Sequence, residues 1–236
     1  MIDKNKYKGK LFSVLGDSIS TLAGVSEPQD AVFYEGMNKL LSSVFCASDT
    51  WWGQVIEYFG GKLLVNNSFS GSMTAKHPKC IIPSYSCSDE RTSALSRGES
   101  SPDVIMVFMG TNDWGSGAVL EPRNENEKDN ISIFSVAYKE MLKKLKNNYP
   151  RAEIWCFTLC PSGYKNGEKI EFPYIYSGKH MKKYCKVIEQ CARQSGCILV
   201  DLYNTVEPFD TIDGFHPNAK GMSAISRGAI LATESI

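Results

Sequence analysis

The stretch KLFSVLGDSIS, residues Lys10 to Ser20, places a short apolar run directly before a glycine and a polar Asp-Ser pair. Such a run is typical of a buried strand, and the small polar residues after it mark the point where the strand ends. Four further runs of this kind follow along the chain: Lys62 to Asn66, Val104 to Met109, Glu153 to Leu159 and Cys197 to Leu202. Together with Lys10 to Leu15, they predict five strands.

Longer stretches with helical spacing separate these strands. They run from Trp51 to Phe59, Ile131 to Asn148, Lys179 to Gln194 and Pro217 to Ala232. Strands that alternate with helices predict a parallel sheet covered by helices. Within the second stretch, an apolar stripe at i, i+3, i+4 and i+7 is expected to face the core. This stripe consists of Ile131, Phe134, Tyr138, Met141, Leu142 and Leu145.

Composition narrows the class of protein. A length of 236 residues predicts a single domain over residues 1–236. Lys plus Arg and Asp plus Glu both total 26, and this neutral balance gives no reason to expect nucleic acid or a membrane surface as a partner. No apolar run is long enough to span a membrane, and the N-terminus lacks a signal-type apolar segment, so we expect a soluble, cytoplasmic protein.

The eight cysteines show neither a C-x-x-C pair nor a spacing with histidine that suits zinc. Several lie inside apolar runs, so we expect reduced thiols in the core and no structural metal. His77 and His180 are expected to be structural or exposed.

Ligands of an open parallel sheet bind beyond the carboxyl ends of its strands. Four segments that follow predicted strands are therefore candidates for a binding or catalytic site. They are Gly16-Asp17-Ser18-Ile19-Ser20, the run from Asn66 to Gly71, the run from Gly110 to Gly115, and Asp213-Gly214-Phe215-His216-Pro217.

These segments hold the parts of a serine nucleophile system. A serine hydroxyl needs a base to accept its proton, and the base needs a third group to fix its tautomer. Ser18, His216 and Asp213 supply these parts. Taken singly, Asp17-Ser18 could be a helix cap, and Asp213-Gly214 an ordinary turn. The order of the whole set favours the catalytic interpretation.

A developing oxyanion requires donors that are already in place. The Ser18 amide, the Gly71 amide and the Asn112 side chain are the candidates, and residues 67–72 offer other amides for the place of Gly71. A glycine lets the backbone approach a substrate closely, and an amide side chain donates without a protonation step.

The four blocks resemble those of the SGNH, or GDSL-like, hydrolase family. Gly16-Asp17-Ser18-Ile19 is similar to its Gly-Asp-Ser-Leu block, Gly71 to its glycine, Gly110-Thr111-Asn112-Asp113 to its Gly-x-Asn-Asp block, and Asp213 to His216 to its Asp-x-x-His block. The resemblance covers residues 10–220. It implies a three-layer α/β/α, flavodoxin-like fold with a five-stranded parallel sheet of order 2-1-3-4-5. It also implies ester or thioester hydrolysis without a metal or other cofactor.

Two other folds fit less well. An α/β-hydrolase would carry Gly-x-Ser-x-Gly in mid-chain, whereas Ser18 follows the first strand and Ser20 stands where the second glycine would be. A phosphate-binding loop would need a Gly-rich pattern with a Lys-Ser/Thr pair, which is missing after Gly16.

The substrate is predicted from aromatic residues near these blocks. Trp114, Tyr164 and Tyr174 are expected to contact it, and aromatic faces beside polar groups suit a sugar ring better than a fatty chain. We therefore expect a small acyl group, such as acetyl, on a carbohydrate or another polar alcohol. The alternatives are a lysophospholipase or thioesterase, and a catalytically silent carbohydrate-binding module. Plain core packing is an equally good explanation of the aromatic residues.

Overall fold

The computed structural model describes residues 4–76 and 84–234. In chain order its strands are β1 (Leu11–Gly16), β2 (Lys62–Ser68), β3 (Val104–Phe108), β4 (Glu153–Phe157), β5 (Tyr164–Lys165), β6 (Glu168–Lys169), β7 (Ile175–Tyr176), β8 (Lys179–His180), β9 (Ile198–Val200) and β10 (Asp210–Thr211). Its helices are α1 (Gly36–Ser42), α2 (Trp51–Tyr58), α3 (Asp89–Ser93), α4 (Thr111–Ser116), α5 (Phe134–Asn148), α6 (Met181–Gln194), α7 (Leu202–Thr205) and α8 (Ala219–Glu234).

Five parallel strands form the main sheet, in the order β2-β1-β3-β4-β9. These are the five strands expected from the sequence, and their order is the expected 2-1-3-4-5. The central strand β3 is buried along its whole length, as a parallel strand covered on both faces must be. Gly16 at the end of β1 pairs with both Ser68 of β2 and Phe108 of β3. Because the three strands end level with one another, the loops that follow them emerge side by side.

Helices flank this sheet. α2 packs against α8, whereas α5 packs against α3 and α6. The four predicted helices correspond to α2, α5, α6 and α8, with ends that differ by a few residues. Five residues of the predicted stripe on α5 are completely buried, and the sixth, Ile131, packs against the core from just before the helix.

The structure adds short elements that the sequence did not predict. The segment from Pro161 to Ser177, in which no strand was predicted, contains β5, β6 and β7. The run after β3, for which no helix was predicted, forms the short helix α4. The seven cysteines of the described ranges are free thiols, while His77 and Cys80 lie outside those ranges. Within residues 4–76 and 84–234, no helix combines the length and the apolar character needed to cross a bilayer.

Candidate active site

Ser18, His216 and Asp213 form a hydrogen-bonded chain at the carboxyl edge of the sheet. The Oγ of Ser18 lies 2.9 Å from Nε2 of His216, and Nδ1 of the same ring lies 2.6 Å from Oδ2 of Asp213. The structure thus brings together residues that are up to 198 positions apart in the chain. This geometry allows the imidazole to accept the serine proton at one nitrogen while its other nitrogen donates to the carboxylate.

The Asp213 carboxylate is held in one orientation. Its Oδ1 accepts hydrogen bonds from the amides of Phe215 and His216, which leaves Oδ2 for the ring. Burial alone would raise the pKa of Asp213, but the hydrogen bonds from the His216 ring and amide outweigh burial and lower it to about 2. The carboxylate therefore stays ionised at neutral pH.

The His216 ring is also fixed from the side. Phe33 stacks on it with ring centroids 3.6 Å apart and planes 11° apart. The next residue, Tyr34, is fully buried, and its hydroxyl donates to the carbonyl of Pro217 at 2.8 Å. Phe33 and Tyr34 thus restrict both the imidazole and the loop that carries it.

The predicted oxyanion donors occupy neighbouring loops. Within the described part of the chain, neither the Ser18 amide nor the Gly71 amide donates to another protein group. Gly71 has a φ of +78°, a conformation that glycine adopts without strain. The Asn112 side chain donates one N–H to the carbonyl of Ser72 at 2.9 Å, which orients the amide and leaves its second N–H free to act.

Gly110 makes the turn that presents Asn112. Its φ of +122° lies in the region that favours glycine, and a Cβ there would stand 3.1 Å from the ring of Phe134. The chain can therefore pass directly from β3 into α4, which places Asn112 in the first turn of the helix at the sheet edge.

Two buried carboxylates support these loops. Both oxygens of Asp113 accept backbone amides, from Thr74 at 2.8 Å and Ala75 at 2.9 Å, which joins α4 to the loop beyond Gly71. Burial raises the pKa of Asp113 to about 7. Burial likewise raises the pKa of Asp17 to about 6, although its Oδ1 accepts the amide of Ile19.

A cavity of about 310 Å³ opens beside Ser18. Its walls are Ser18, Ile19, Thr111, Asn112, Trp114, Gly115, Tyr176, Phe215 and His216. Trp114, predicted as a substrate contact, therefore lies in the wall of this cavity, whereas Gly71 does not. The walls are mainly aromatic and polar, with Ile19 as their aliphatic member.

A second groove, of about 570 Å³, lies next to the cavity. Tyr164 and Tyr174, the other two predicted substrate contacts, line this groove and not the cavity beside Ser18. Phe172 forms part of its wall and also packs against Trp114 and Phe215 of the cavity, with ring centroids 5.6 and 6.0 Å apart. The two spaces are therefore neighbours that share one aromatic partition.

The segment that bears the groove is joined to the loop that bears His216. β5 pairs in parallel register with β10, whose last residue, Thr211, lies two residues before Asp213. The Thr211 hydroxyl donates to the carbonyl of Tyr164 at 2.7 Å and accepts the amide of Gly214 at 2.9 Å. Ser162 donates to the carbonyl of Gly214 at 2.7 Å. The groove wall and the loop that bears His216 are thus joined by strand pairing and side-chain hydrogen bonds.

Some residues of the site were not predicted from the sequence. Phe33 lies in no recognisable motif, and only the structure shows it against His216. Phe215 was visible inside the Asp213 to His216 block, but nothing indicated that it lines a cavity. Of the other histidines, His180 accepts the amide of Lys182 at the start of α6. Within residues 4–76 and 84–234, no three His, Cys, Asp or Glu side chains are grouped so as to hold a metal ion.

Comparisons with known proteins agree with this architecture. A family model for GDSL-like lipases and acylhydrolases matches residues 10–165. The chain is similar to the structure of a proposed GDSL-like lipase from Bacteroides ovatus, with 23% identity and a TM-score of 0.72 over 97% of this chain and 100% of that one. A proposed GDSL-like lipase from Bacteroides uniformis shows 26% identity and a TM-score of 0.68 over 97% of each chain.

A more distant solved structure shares the same fold. A carbohydrate acetylesterase from Sinorhizobium meliloti has 13% identity and a TM-score of 0.61, over 96% of this chain and 98% of that one. No match was found among curated proteins.

Proposed function

Because this chain belongs to the GDSL-like lipase/acylhydrolase family, we propose that it hydrolyses carboxylic esters with Ser18 as nucleophile, His216 as base and Asp213 as the group that orients the base. The observation that carries the assignment is the continuous hydrogen-bonded chain from Ser18 Oγ through the imidazole to Asp213 Oδ2. The enzyme class, an esterase or lipase, follows from the family itself.

The reaction has two halves. Ser18 Oγ attacks the ester carbonyl carbon as its proton moves to Nε2 of His216, and the carbonyl oxygen becomes an oxyanion. Collapse of this intermediate breaks the bond to the alcohol oxygen, which takes the proton from Nε2. A water molecule then attacks the acyl-serine with the same imidazole as base, and the acid leaves as Ser18 regains its proton.

The oxyanion would be stabilised by the Ser18 amide, the Gly71 amide and the Asn112 side chain. Support comes from the two amides, which donate to no other described group, and from the fixed orientation of Asn112. Donors held in place before the reaction lower the barrier because they do not have to reorganise when charge develops.

For the substrate, we propose a small acyl group such as acetyl, carried by a carbohydrate or another polar alcohol. The cavity beside Ser18 is compact and mostly aromatic, and its single aliphatic wall residue, Ile19, offers no groove for a long acyl chain. The adjoining groove presents the half-exposed rings of Tyr164 and Tyr174 together with Lys169 and Glu171. Aromatic faces beside charged donors and acceptors suit a hydroxyl-rich leaving group. The fold is shared with a carbohydrate acetylesterase, which is consistent with this substrate.

Acyl chain length provides the first test. We expect a higher kcat/KM for 4-nitrophenyl acetate than for 4-nitrophenyl octanoate, and turnover of acetylated sugars. A clear preference for octanoate, lysophospholipids or acyl thioesters would replace the proposal with the lipase or thioesterase alternative. The Ser18→Ala variant is the control, because it should lose nearly all activity on every substrate.

The groove is tested separately. Tyr174→Ala should lower kcat/KM for an acetylated oligosaccharide about three- to tenfold, because it removes one aromatic face. It should leave 4-nitrophenyl acetate unaffected. Phe45→Ala, which removes a similarly exposed ring from a part of the chain outside the groove, is the matched control. Equal losses on both substrates would show that the groove does not hold the leaving group.

A serine-reactive fluorophosphonate distinguishes an esterase from a silent binding module. Wild-type protein should be labelled at Ser18, and labelling should disappear in Ser18→Ala. Folded wild-type protein that resists the probe would favour the binding module.

A further inference from the structure

Arg91 on α3 is a buried cation that the reaction scheme above does not use. Its side chain is 4% exposed, and burial lowers its pKa to about 10, so it remains charged at neutral pH. All five of its N–H donors are used. Nε donates to Asn67 Oδ1, Nη1 to the hydroxyls of Ser72 and Ser84 at 2.9 and 2.6 Å, and Nη2 to the carbonyls of Gly16 and Asn67 at 3.1 and 2.8 Å.

Every one of these acceptors is neutral. Burying a guanidinium without a carboxylate in direct contact is expensive, and an apolar side chain of similar size is commonly as stable or more stable. The carboxylates of Asp17 and Glu90 act on Arg91 only through space. The arrangement is therefore poorly explained by stability alone.

The acceptors lie on the segments that carry the three proposed oxyanion donors. Gly16 is two residues before Ser18. Asn67 and Ser72 lie on either side of Gly71. The carbonyl of Ser72 in turn accepts the Asn112 side chain, so Arg91 reaches the third donor through one intermediate residue.

We infer that Arg91 is a positioning residue, whose fork of donors sets the relative placement of the Ser18, Gly71 and Asn112 groups. The inference rests on the proposed function, since it assigns Arg91 to the oxyanion hole of that reaction. Arginine suits this task because its planar group presents five donors in fixed directions, whereas lysine offers three on a flexible stem. Small displacements of catalytic groups are sufficient to slow a reaction by large factors.

The test compares Arg91→Lys and Arg91→Gln with wild type on 4-nitrophenyl acetate. Both variants should lower kcat by about 10²-fold, the scale of one lost oxyanion donor, with KM changed by less than about threefold. Lysine should not rescue, because it keeps the charge but cannot reach all the acceptors. A kcat for Arg91→Lys within threefold of wild type overturns the inference.

Inhibition by 1,1,1-trifluoroacetone distinguishes positioning from general destabilisation. Its adduct with a serine carries an oxyanion, so the inhibition constant should rise in parallel with the loss of kcat while KM stays constant. Leu145→Ala, which removes a fully buried side chain of α5, is the control. It should lower thermal stability and leave kcat and the inhibition constant of the folded protein unchanged. An inhibition constant unchanged in the Arg91 variants would contradict the inference.

If both Arg91 variants fail to fold, Ser72→Ala takes their place. It removes one acceptor of Arg91, the Ser72 hydroxyl, and with it the hydrogen bond next to Gly71. We expect kcat to fall about tenfold at constant KM. Unchanged kcat in this variant would count against the inference. Ser18→Ala distinguishes a failure of the proposed function from a failure of the role assigned to Arg91. If it retains activity, the proposed function is wrong, whereas loss in Ser18→Ala with none in the Arg91 and Ser72 variants refutes only the role of Arg91.

Discussion

Replacing Asp213 by asparagine tests how the imidazole is oriented. In the structure, Oδ1 of Asp213 accepts two backbone amides and Oδ2 faces Nδ1 of His216. An asparagine oxygen would keep the two amide bonds, so its NH2 group would face the ring. The opposite orientation would save the single bond to the ring but place the NH2 group against two donors. The first orientation is therefore favoured. With the NH2 group facing the ring, Nδ1 must accept a hydrogen bond, and the ring proton moves to Nε2, where it points at Ser18 and blocks proton transfer.

The expected loss is about 10⁴-fold in kcat, the effect of the wrong imidazole tautomer in serine proteases, or about 5 kcal/mol of barrier. The effect on stability should be far smaller. Asp213 has a lower pKa in the folded protein than in the unfolded chain, so its contribution is present above about pH 4 and is lost as the pH falls towards 2. Because the side chain is 43% exposed, solvent screening reduces that contribution to about 1 kcal/mol or less.

The assay is kcat for 4-nitrophenyl acetate at pH 8, with thermal unfolding measured in parallel. Asp129→Asn, at an exposed aspartate far from Ser18 in the chain, is the control and should match wild type in both measurements. A folded Asp213→Asn enzyme that retains more than a tenth of wild-type kcat would refute the orienting role of Asp213.

Three further predictions concern neighbouring residues. Asp17 has a higher pKa in the folded protein than in the unfolded chain, so its ionisation lowers stability progressively from about pH 4 to about pH 6, and the full effect is present above pH 6. Asp17→Asn should therefore raise the free energy of unfolding, measured by chemical denaturation, by up to about 3 kcal/mol more at pH 8 than at pH 4. The same gain at both pH values would show that burial does not raise the pKa of Asp17. Phe33→Leu should lower kcat about tenfold at constant KM, because the His216 ring loses its stacking partner; steady-state kinetics equal to wild type would show that the stack is incidental. Asn112→Ala should lower kcat about 10²- to 10³-fold with unchanged thermal stability, and a change confined to KM would assign Asn112 to substrate binding instead.

Strands and long helices could be predicted because their signal is local. The apolar runs before Gly16 and Gly110 bury residues on both faces of the sheet, and their composition alone indicates this. The α5 stripe is equally explicit, since its period matches one face of a helix. The strand order came from the family resemblance and not from periodicity.

The remaining features depend on contacts between distant parts of the chain. β5 is two residues long and pairs with β10, more than forty positions away in the chain. A strand this short leaves no periodic pattern in the sequence from which it could be predicted. Tyr164 and Tyr174 were predicted to contact substrate from their place in the sequence, but only the fold shows that they line a groove separate from the cavity of Trp114. Arg91 follows Asp89 and Glu90, a charged pattern typical of an exposed helix turn, and its burial could not be foreseen.

The pairing of β5 with β10 has a consequence for redesign. A loop exchange that imports the 161–177 segment of a relative replaces the wall of the groove and, at the same time, the contacts that hold the loop of His216 in place. Such an exchange would therefore change substrate specificity and the turnover rate together. Chimaeras of this kind are best ranked first by their rate on a small ester such as 4-nitrophenyl acetate. Only those that keep this rate have preserved the position of the His216 ring.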